Sequence, residues 1–311
     1  MLHSGVVATA PECSIRTSRG WVTDPGAGWP GRRDAPVDHP TLASERACQA
    51  GRVTASAPDL TDRRVARGGI ALVATTQYLV AEQVVAAAWA PAPYSFGDNY
   101  ISDLGVPECL VLADRVVCSP QWLLMDAAFV LQGLLVVVAT WQLAWLLPRV
   151  WRWIATALGV VHGVGMLLVG LFPGSIAEDL GGDATRAALH GIGATLAIAG
   201  GIVWMLVAGI GLLVRRWRGV GVLSLVLAGV GAVGLVGLAL LPSTPGADLG
   251  LGVGGIERLA VYPIIAWLIL MGIAAVLVHR GALRQEQWER MRAEDEAAAQ
   301  AALDRQADAK D

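Results

Sequence analysis

Lysine is nearly missing from this chain. Of 23 basic residues all but Lys310 are arginine. With so much Ala, Gly and Val alongside, that bias points by composition to a GC-rich bacterial genome. Phenylalanine occurs three times and cysteine four times. Nowhere is there a phosphate-cradling glycine loop, a haem attachment motif, a CxxC pair or a nucleophile elbow. The chain therefore offers no standard motif for nucleotide hydrolysis, haem chemistry, dithiol exchange or serine hydrolysis. Residues 1–60 lack the apolar run of a signal peptide. They carry Pro, Gly, Ser, Thr, Arg and Asp without any period, which predicts a disordered arm. Translation from a start nearer Val65 is the alternative reading of that arm.

What the chain has is hydrocarbon. Hydrophobic residues make up 55% of it, and the mean hydropathy is +0.54. A soluble chain of this length would be less apolar and would show amphipathic periods rather than solid apolar runs. A membrane span needs ~20 apolar residues rising 1.5 Å each. Six such stretches are read at 69–90, 122–146, 153–172, 187–214, 219–241 and 257–279. The fold class expected is an all-α, polytopic bundle of six transmembrane helices. The fourth stretch is long enough to tilt or to begin outside the hydrocarbon.

Arginine sets the expected orientation. Twenty of the 23 basic residues fall in 1–68, 147–152, 215–218 and 280–311, all on one side of the six spans. The other side holds Arg115, Arg186 and Arg258. By the positive-inside rule the first side is cytoplasmic, so both termini are expected there, in a multi-pass protein of the cell membrane. Residues 1–68 form the arm, 69–279 the membrane domain, and 280–311 a cytoplasmic tail. Arg, Glu, Gln and Ala dominate that tail, with Trp288 near the membrane face, and it reads as a solvated polar helix. Its near balance of acids and bases argues against a polybasic lipid switch.

Cys109 and Cys118 share the outer loop between the first two spans. That compartment permits a disulfide closing a short loop, but spacing alone cannot show the geometry, so both states stay open. Cys13 and Cys48 lie in the arm and read as free thiols without a role. Span three ends GMLLVGLFPG and span five ends GLVGLALLPSTPG. The likeness suggests three hairpins of one orientation, although any outward helix tends to end in Leu-Pro-Gly. Gly159 with Gly163, and Ala228 with Ala232, are spaced for close helix approach.

Ionisable groups inside hydrocarbon cost ~2.5–3.5 kcal/mol on insertion scales, so each needs a reason. Glu82 is placed about eight residues below the outer end of span one, ~12 Å down. Asp126 lies early in span two, His162 near the middle of span three with Gln132 at similar depth, and His190 a turn inside span four. Glu257 and Arg258 open span six. Five of these six ionisable residues fall in the outer half, which suggests one polar cavity open to the outside. Arg258 at a helix start opposes the dipole, so a carboxylate partner is expected, with Asp126 or Asp103 as candidates. Asp103, Asp126, His190 and Arg258 are expected to converge, with Glu82, Gln132 and His162 one layer below. Against this stands separate snorkelling of each group to the headgroups. The outer-loop turn with Ser102, Asp103 and Gly105 could cap a helix or fold back over the cavity.

The segment Tyr100-Ile-Ser-Asp-Leu-Gly105 resembles the signature of the bacterial and archaeal domain of unknown function 998 family. The end of span three, Gly170-Leu-Phe-Pro173, followed by His190, is similar too. So are Glu257-Arg258 and Tyr262-Pro263 at the start of span six. The resemblance covers about 69–279 and implies a polytopic membrane protein without an established activity. Where such proteins often carry Asn early in span two, this chain has Asp126.

Three functions stay open. The first is binding or transport of a small molecule or lipid, proton-linked through Glu82 and the histidines. The second is a non-catalytic envelope accessory protein. The third is an intramembrane enzyme acting on a lipid or isoprenoid with carboxylates and His. A zinc site would want about three His at one depth. Only His162 and His190 qualify, so no metal and no cofactor are expected. The partners expected are membrane lipids and a small-molecule or lipid ligand, not nucleic acid. The sequence does not fix the oligomeric state.

Overall fold

A computed structural model describes residues 58–112, 115–174 and 184–308. The arm up to residue 57, and with it Cys13 and Cys48, lies outside the described residues. Six helices are long and apolar enough to cross a membrane. The first span is split into α1 (Arg63–Ala74) and α2 (Gln77–Ala87). Four further spans are α3 (Trp122–Leu143), α4 (Arg149–Leu171), α5 (Ala184–Val214) and α6 (Arg218–Leu240). The last, α7 (Gly252–Asp308), runs unbroken through the bundle into the tail.

Each span packs on its neighbours in sequence, and the first closes against the last, so the six make a ring. The α3–α4 and α5–α6 linkers lie at the end where α1 begins and the tail leaves, here called the basic end. His279 Nδ1 meets the Leu60 carbonyl at 2.9 Å there and ties the last span to the first. The described residues 88–112, 115–121, 172–174 and 241–251 lie at the opposite, loop end. Large apolar side chains on the outer surface of the ring are exposed, among them Trp141, Val226 and Leu277. Apolar groups facing outward suit a hydrocarbon solvent rather than water.

Small residues set the helix spacing. A Cβ on Gly165 would lie 2.4 Å from the Ala197 nitrogen, and one on Gly133 would lie 2.5 Å from the Gly163 oxygen. The backbones of α4 and α5, and of α3 and α4, therefore touch directly, the close packing that small residues permit in membranes. Of the expected small-residue pairs, Gly159 and Gly163 face Thr140 and Gly133 of α3, and Ala228 is fully buried.

The break between α1 and α2 was not expected. Thr75 and Thr76 donate their hydroxyls to the Leu72 and Val73 carbonyls, at 2.5 and 2.7 Å. Such back-bonding competes with the helical ladder and bends helices. Pro91 and Pro93 cannot continue the span, which stops at Ala87, earlier than the apolar run suggests. The tail continues α7 as a largely exposed helix, in which Gln285 bonds Glu289 at 2.9 Å and Gln300 bonds Asp304 at 2.8 Å, each one turn apart.

The outer loop has structure of its own. A 3-10 turn, Ser102–Gly105, precedes a two-stranded antiparallel hairpin, β1 (Leu110–Leu112) and β2 (Arg115–Val117). Cys109 and Cys118 flank this hairpin and are bonded, with Cα atoms 4.1 Å apart. Ile101, Leu104 and Val106 are buried among Tyr78, Met125, Phe129 and Val169. The turn is thus part of the core at the loop end, not a free connector.

Candidate functional site

The polar groups at the loop end fall into two linked sets. The first centres on Arg258, on the second turn of α7. Its guanidinium meets Glu82 Oε1 through Nε at 3.1 Å and Nη2 at 3.0 Å. Nη1 donates to the carbonyls of Phe96, Asn99 and Gly254 at 2.8, 2.9 and 3.0 Å. Nη2 also donates to the Tyr94 hydroxyl at 2.5 Å, and the Tyr94 and Phe96 rings lie beside the cation. Every donor of the guanidinium therefore has an acceptor. Burial holds the Tyr94 phenol well above its ordinary pKa, with the Arg258 charge opposing, so Tyr94 accepts as a neutral hydroxyl. Tyr262, one turn along α7, donates to Glu82 Oε1 at 2.9 Å.

This corrects the expected partner. Neither Asp103 nor Asp126 pairs with Arg258; Glu82 does. The reason is depth. Because α2 stops at Ala87, Glu82 sits less than two turns from the helix end, level with Arg258 rather than a layer below. The carbonyl of Gly97 also caps the start of α7, accepting from Gly254 N at 2.7 Å and Gly255 N at 3.2 Å. Gly252 has φ +75°, and a Cβ there would lie 2.4 Å from the Gly97 oxygen, so glycine allows the loop to seat.

Asp103 serves its own turn, accepting from Tyr100 N at 2.9 Å and Asn99 Nδ2 at 3.3 Å. It is linked to the Arg258 set through Asn99 and through Tyr100, whose carbonyl accepts from the Tyr94 hydroxyl at 2.8 Å. Glu257 Oε2 accepts from Ile101 N. Ser119 donates to the Leu104 carbonyl at 2.6 Å. The loop is thus pinned from α7 by two adjacent charged residues pointing to different partners.

The second set lines a cavity of about 60 Å³ beneath the turn. Ser102, His162, His190 and Glu257 are in its wall, with Tyr78 and Phe129. His162 is 2% exposed and its Nδ1 lies 2.6 Å from the Ala197 carbonyl, while its Nε2 is buried without a partner among the described residues. His190 Nδ1 meets the Phe172 carbonyl at 2.9 Å, just where α4 ends. Gln132 accepts from Gln77 at 3.4 Å and leaves its own Nε2 unpartnered among the described residues. It lies in neither set. Asp126 is buried beside the turn, its Oδ1 2.3 Å from where a Cβ on Gly105 would stand.

Of the nine expected site residues, Ser102, His162, His190 and Glu257 share the cavity, and Glu82 with Arg258 form the adjoining clasp. Asp103 holds the turn, Asp126 lies buried beside it, and Gln132 stands apart. Sequence reasoning missed Tyr78, Tyr94, Asn99 and Tyr262. Tyr78 and Tyr262 each lie four residues from an expected residue, Glu82 and Arg258, and so share its helix face. Tyr94 and Asn99 carry no such periodic signal. Among the described residues, no three His, Cys, Asp or Glu side chains are grouped as a metal would require.

A ring of six apolar helices, sealed at one end by a buried polar turn, defines a polytopic membrane protein. Residues 72–274 match the family described as "Protein of unknown function (DUF998)", and the chain belongs to it. No curated protein and no solved structure matches the chain.

Proposed function

We propose that this protein binds a small polar ligand, or the polar head of a lipid, in the loop-end cavity, in a binding or transport role. The observation that carries the proposal is His162. Its ring is buried in the cavity wall, one nitrogen is fixed by Ala197, and the other has no partner among the described residues. A buried unpaired ring nitrogen is costly unless something meets it. Glu257, Ser102 and His190 supply further polar groups in the same wall. At about 60 Å³ the space fits a small group and not a drug-sized molecule, which takes ~300–1,000 Å³. A larger substrate would enter only if the turn above moved.

The arginine distribution supports placing the loop end outside a bacterial cell membrane. The cavity would then be extracytoplasmic. A second reading, a non-catalytic envelope accessory protein, is favoured by Arg258, which spends every donor on holding the loop.

The test is a stability screen of detergent-purified protein. The panel is amino acids, short carboxylates, amines, sugars and glycerophosphate headgroups, with hits carried into proteoliposome flux assays. Binding or transport requires a compound class that stabilises the wild type but not His162→Leu or Glu257→Gln. If no class separates the wild type from these variants, the accessory reading takes its place.

A further inference from the structure

A second cavity lies at the basic end and has a different chemistry. Its volume is about 270 Å³, and all six spans contribute to its wall. Leu72, Ala139, Ala155, Trp204, Val220 and Trp267 come from α1, α3, α4, α5, α6 and α7 in turn. The wall is hydrocarbon and indole apart from the Thr140 hydroxyl, which has no partner among the described residues. Such a surface offers contact to a chain of methylenes and nothing to a polar solute.

The linkers at that end also contribute. Leu147 of the α3–α4 linker and Trp217 of the α5–α6 linker are in the wall. Two arginines lie one turn from lining residues without being in the wall themselves. Arg152 precedes the lining residue Ala155 by one turn, and Arg215 follows the lining residue Leu212 by one turn. In each the guanidinium Nε is buried and without an acceptor among the described residues, although Arg152 Nη2 donates to the Trp145 carbonyl at 2.9 Å. The Trp145 indole nitrogen is buried and unpartnered in the same way. Guanidinium forks match phosphate oxygens, and unpaired donors one turn from the wall of an apolar cavity fit an anionic head on a hydrocarbon tail.

We infer that the basic-end cavity takes one acyl chain of an anionic phospholipid from the adjoining leaflet, with its phosphate against Arg152 and Arg215. The site is separate from the loop-end cavity. Trp204 and Trp267 stack edge to face at 4.9 Å, and His162 lies 6.1 Å from Trp204, so a layer of rings divides the two. One pole would hold lipid whatever the other binds.

Native mass spectrometry of the full chain tests this, with phosphatidylglycerol and phosphatidylcholine of identical chains added to delipidated protein. The expected result is one phosphatidylglycerol retained per chain, at least about tenfold more tightly than phosphatidylcholine, a difference of ~1.4 kcal/mol. Arg152→Gln with Arg215→Gln removes the preference, and Ala139→Leu, which fills the cavity, removes retention of both lipids. Should a variant fold poorly, the wild type alone decides, because single-chain lysophosphatidylglycerol must compete where lysophosphatidylcholine does not. Equal retention of the two headgroups overturns the proposal. Preferential retention of an isoprenoid phosphate overturns the assignment to an acyl chain.

Discussion

Arg258 shows how one residue type at one depth organises its surroundings. A guanidinium taken out of water needs both a counter-charge and enough acceptors, and here it has a carboxylate, a phenol and three carbonyls. Removing one partner of a buried pair strands the other, at a cost of ~3–5 kcal/mol. Glu82→Ala should therefore lower unfolding stability in mixed micelles by about that amount. The double change Glu82→Met with Arg258→Met should cost less than the two single changes added together. Additive losses would show that the pair is not coupled. Asp126 predicts the opposite behaviour. Its Oδ1 is buried without a partner among the described residues, so Asp126→Asn should leave stability unchanged or raise it, as a spectroscopic melt would read. A clear loss would mean the carboxylate has a partner that the side-chain geometry does not reveal. The need for a partner at Arg258 was legible in the sequence, because its cause is local. Its identity was not, because it depends on where α2 ends, and two prolines in the loop move that end inward.

At the scale of elements, the turn Ser102–Gly105 and the start of α7 form one unit. The apolar run of each span was visible as hydrophobic length, but the closure of the first span against the last was not. The hairpin and the break at Thr75 were not visible. Three-residue strands carry too little periodicity to read, and a threonine pair bends a helix only when its hydroxyls turn back on the ladder. Gly105 shows the fit between turn and bundle. A Cβ there would lie 2.3 Å from Asp126 Oδ1 and 3.5 Å from the Phe129 ring. Gly105→Ala must push Asp126 aside and should cost ~1–3 kcal/mol of overpacking. Combining it with Asp126→Ala should recover part of that loss, and a double-mutant cycle by denaturant melt measures how much. If the combined protein is no more stable than the sum of its parts, the glycine is not there for space. The hairpin makes a simpler prediction. Alkylation of unreduced, denatured protein should leave Cys109 and Cys118 unmodified, and peptide mapping should find them joined.

For the whole molecule, the ring closes around two spaces of opposite character, a polar one beneath the turn and an apolar one at the basic end, with Trp204 and Trp267 between them. That polarity has biological meaning only once the ends are assigned to sides of a membrane. In sequence, 20 of the 23 basic residues fall in stretches joined to the basic end, which predicts that this end is cytoplasmic. The disulfide argues the same way independently, since such bonds persist in oxidising compartments, and it lies in the loop at the other end. One exposed and one half-buried position decide the question. Ser243 lies between α6 and α7 at the loop end, and Glu286 lies on the tail. In a background where Cys13 and Cys48 are replaced by Ser, an impermeant maleimide should label Ser243→Cys in intact cells. Glu286→Cys should label only after permeabilisation. Ser175 would probe the α4–α5 loop but lies outside the described residues, so Ser243 is the better reporter of this end. The reverse pattern would turn the molecule over. The polar cavity would then face the cytoplasm, and the guanidiniums of Arg152 and Arg215 would stand in the outer leaflet. The proposed lipid site would then draw its lipid from the opposite monolayer.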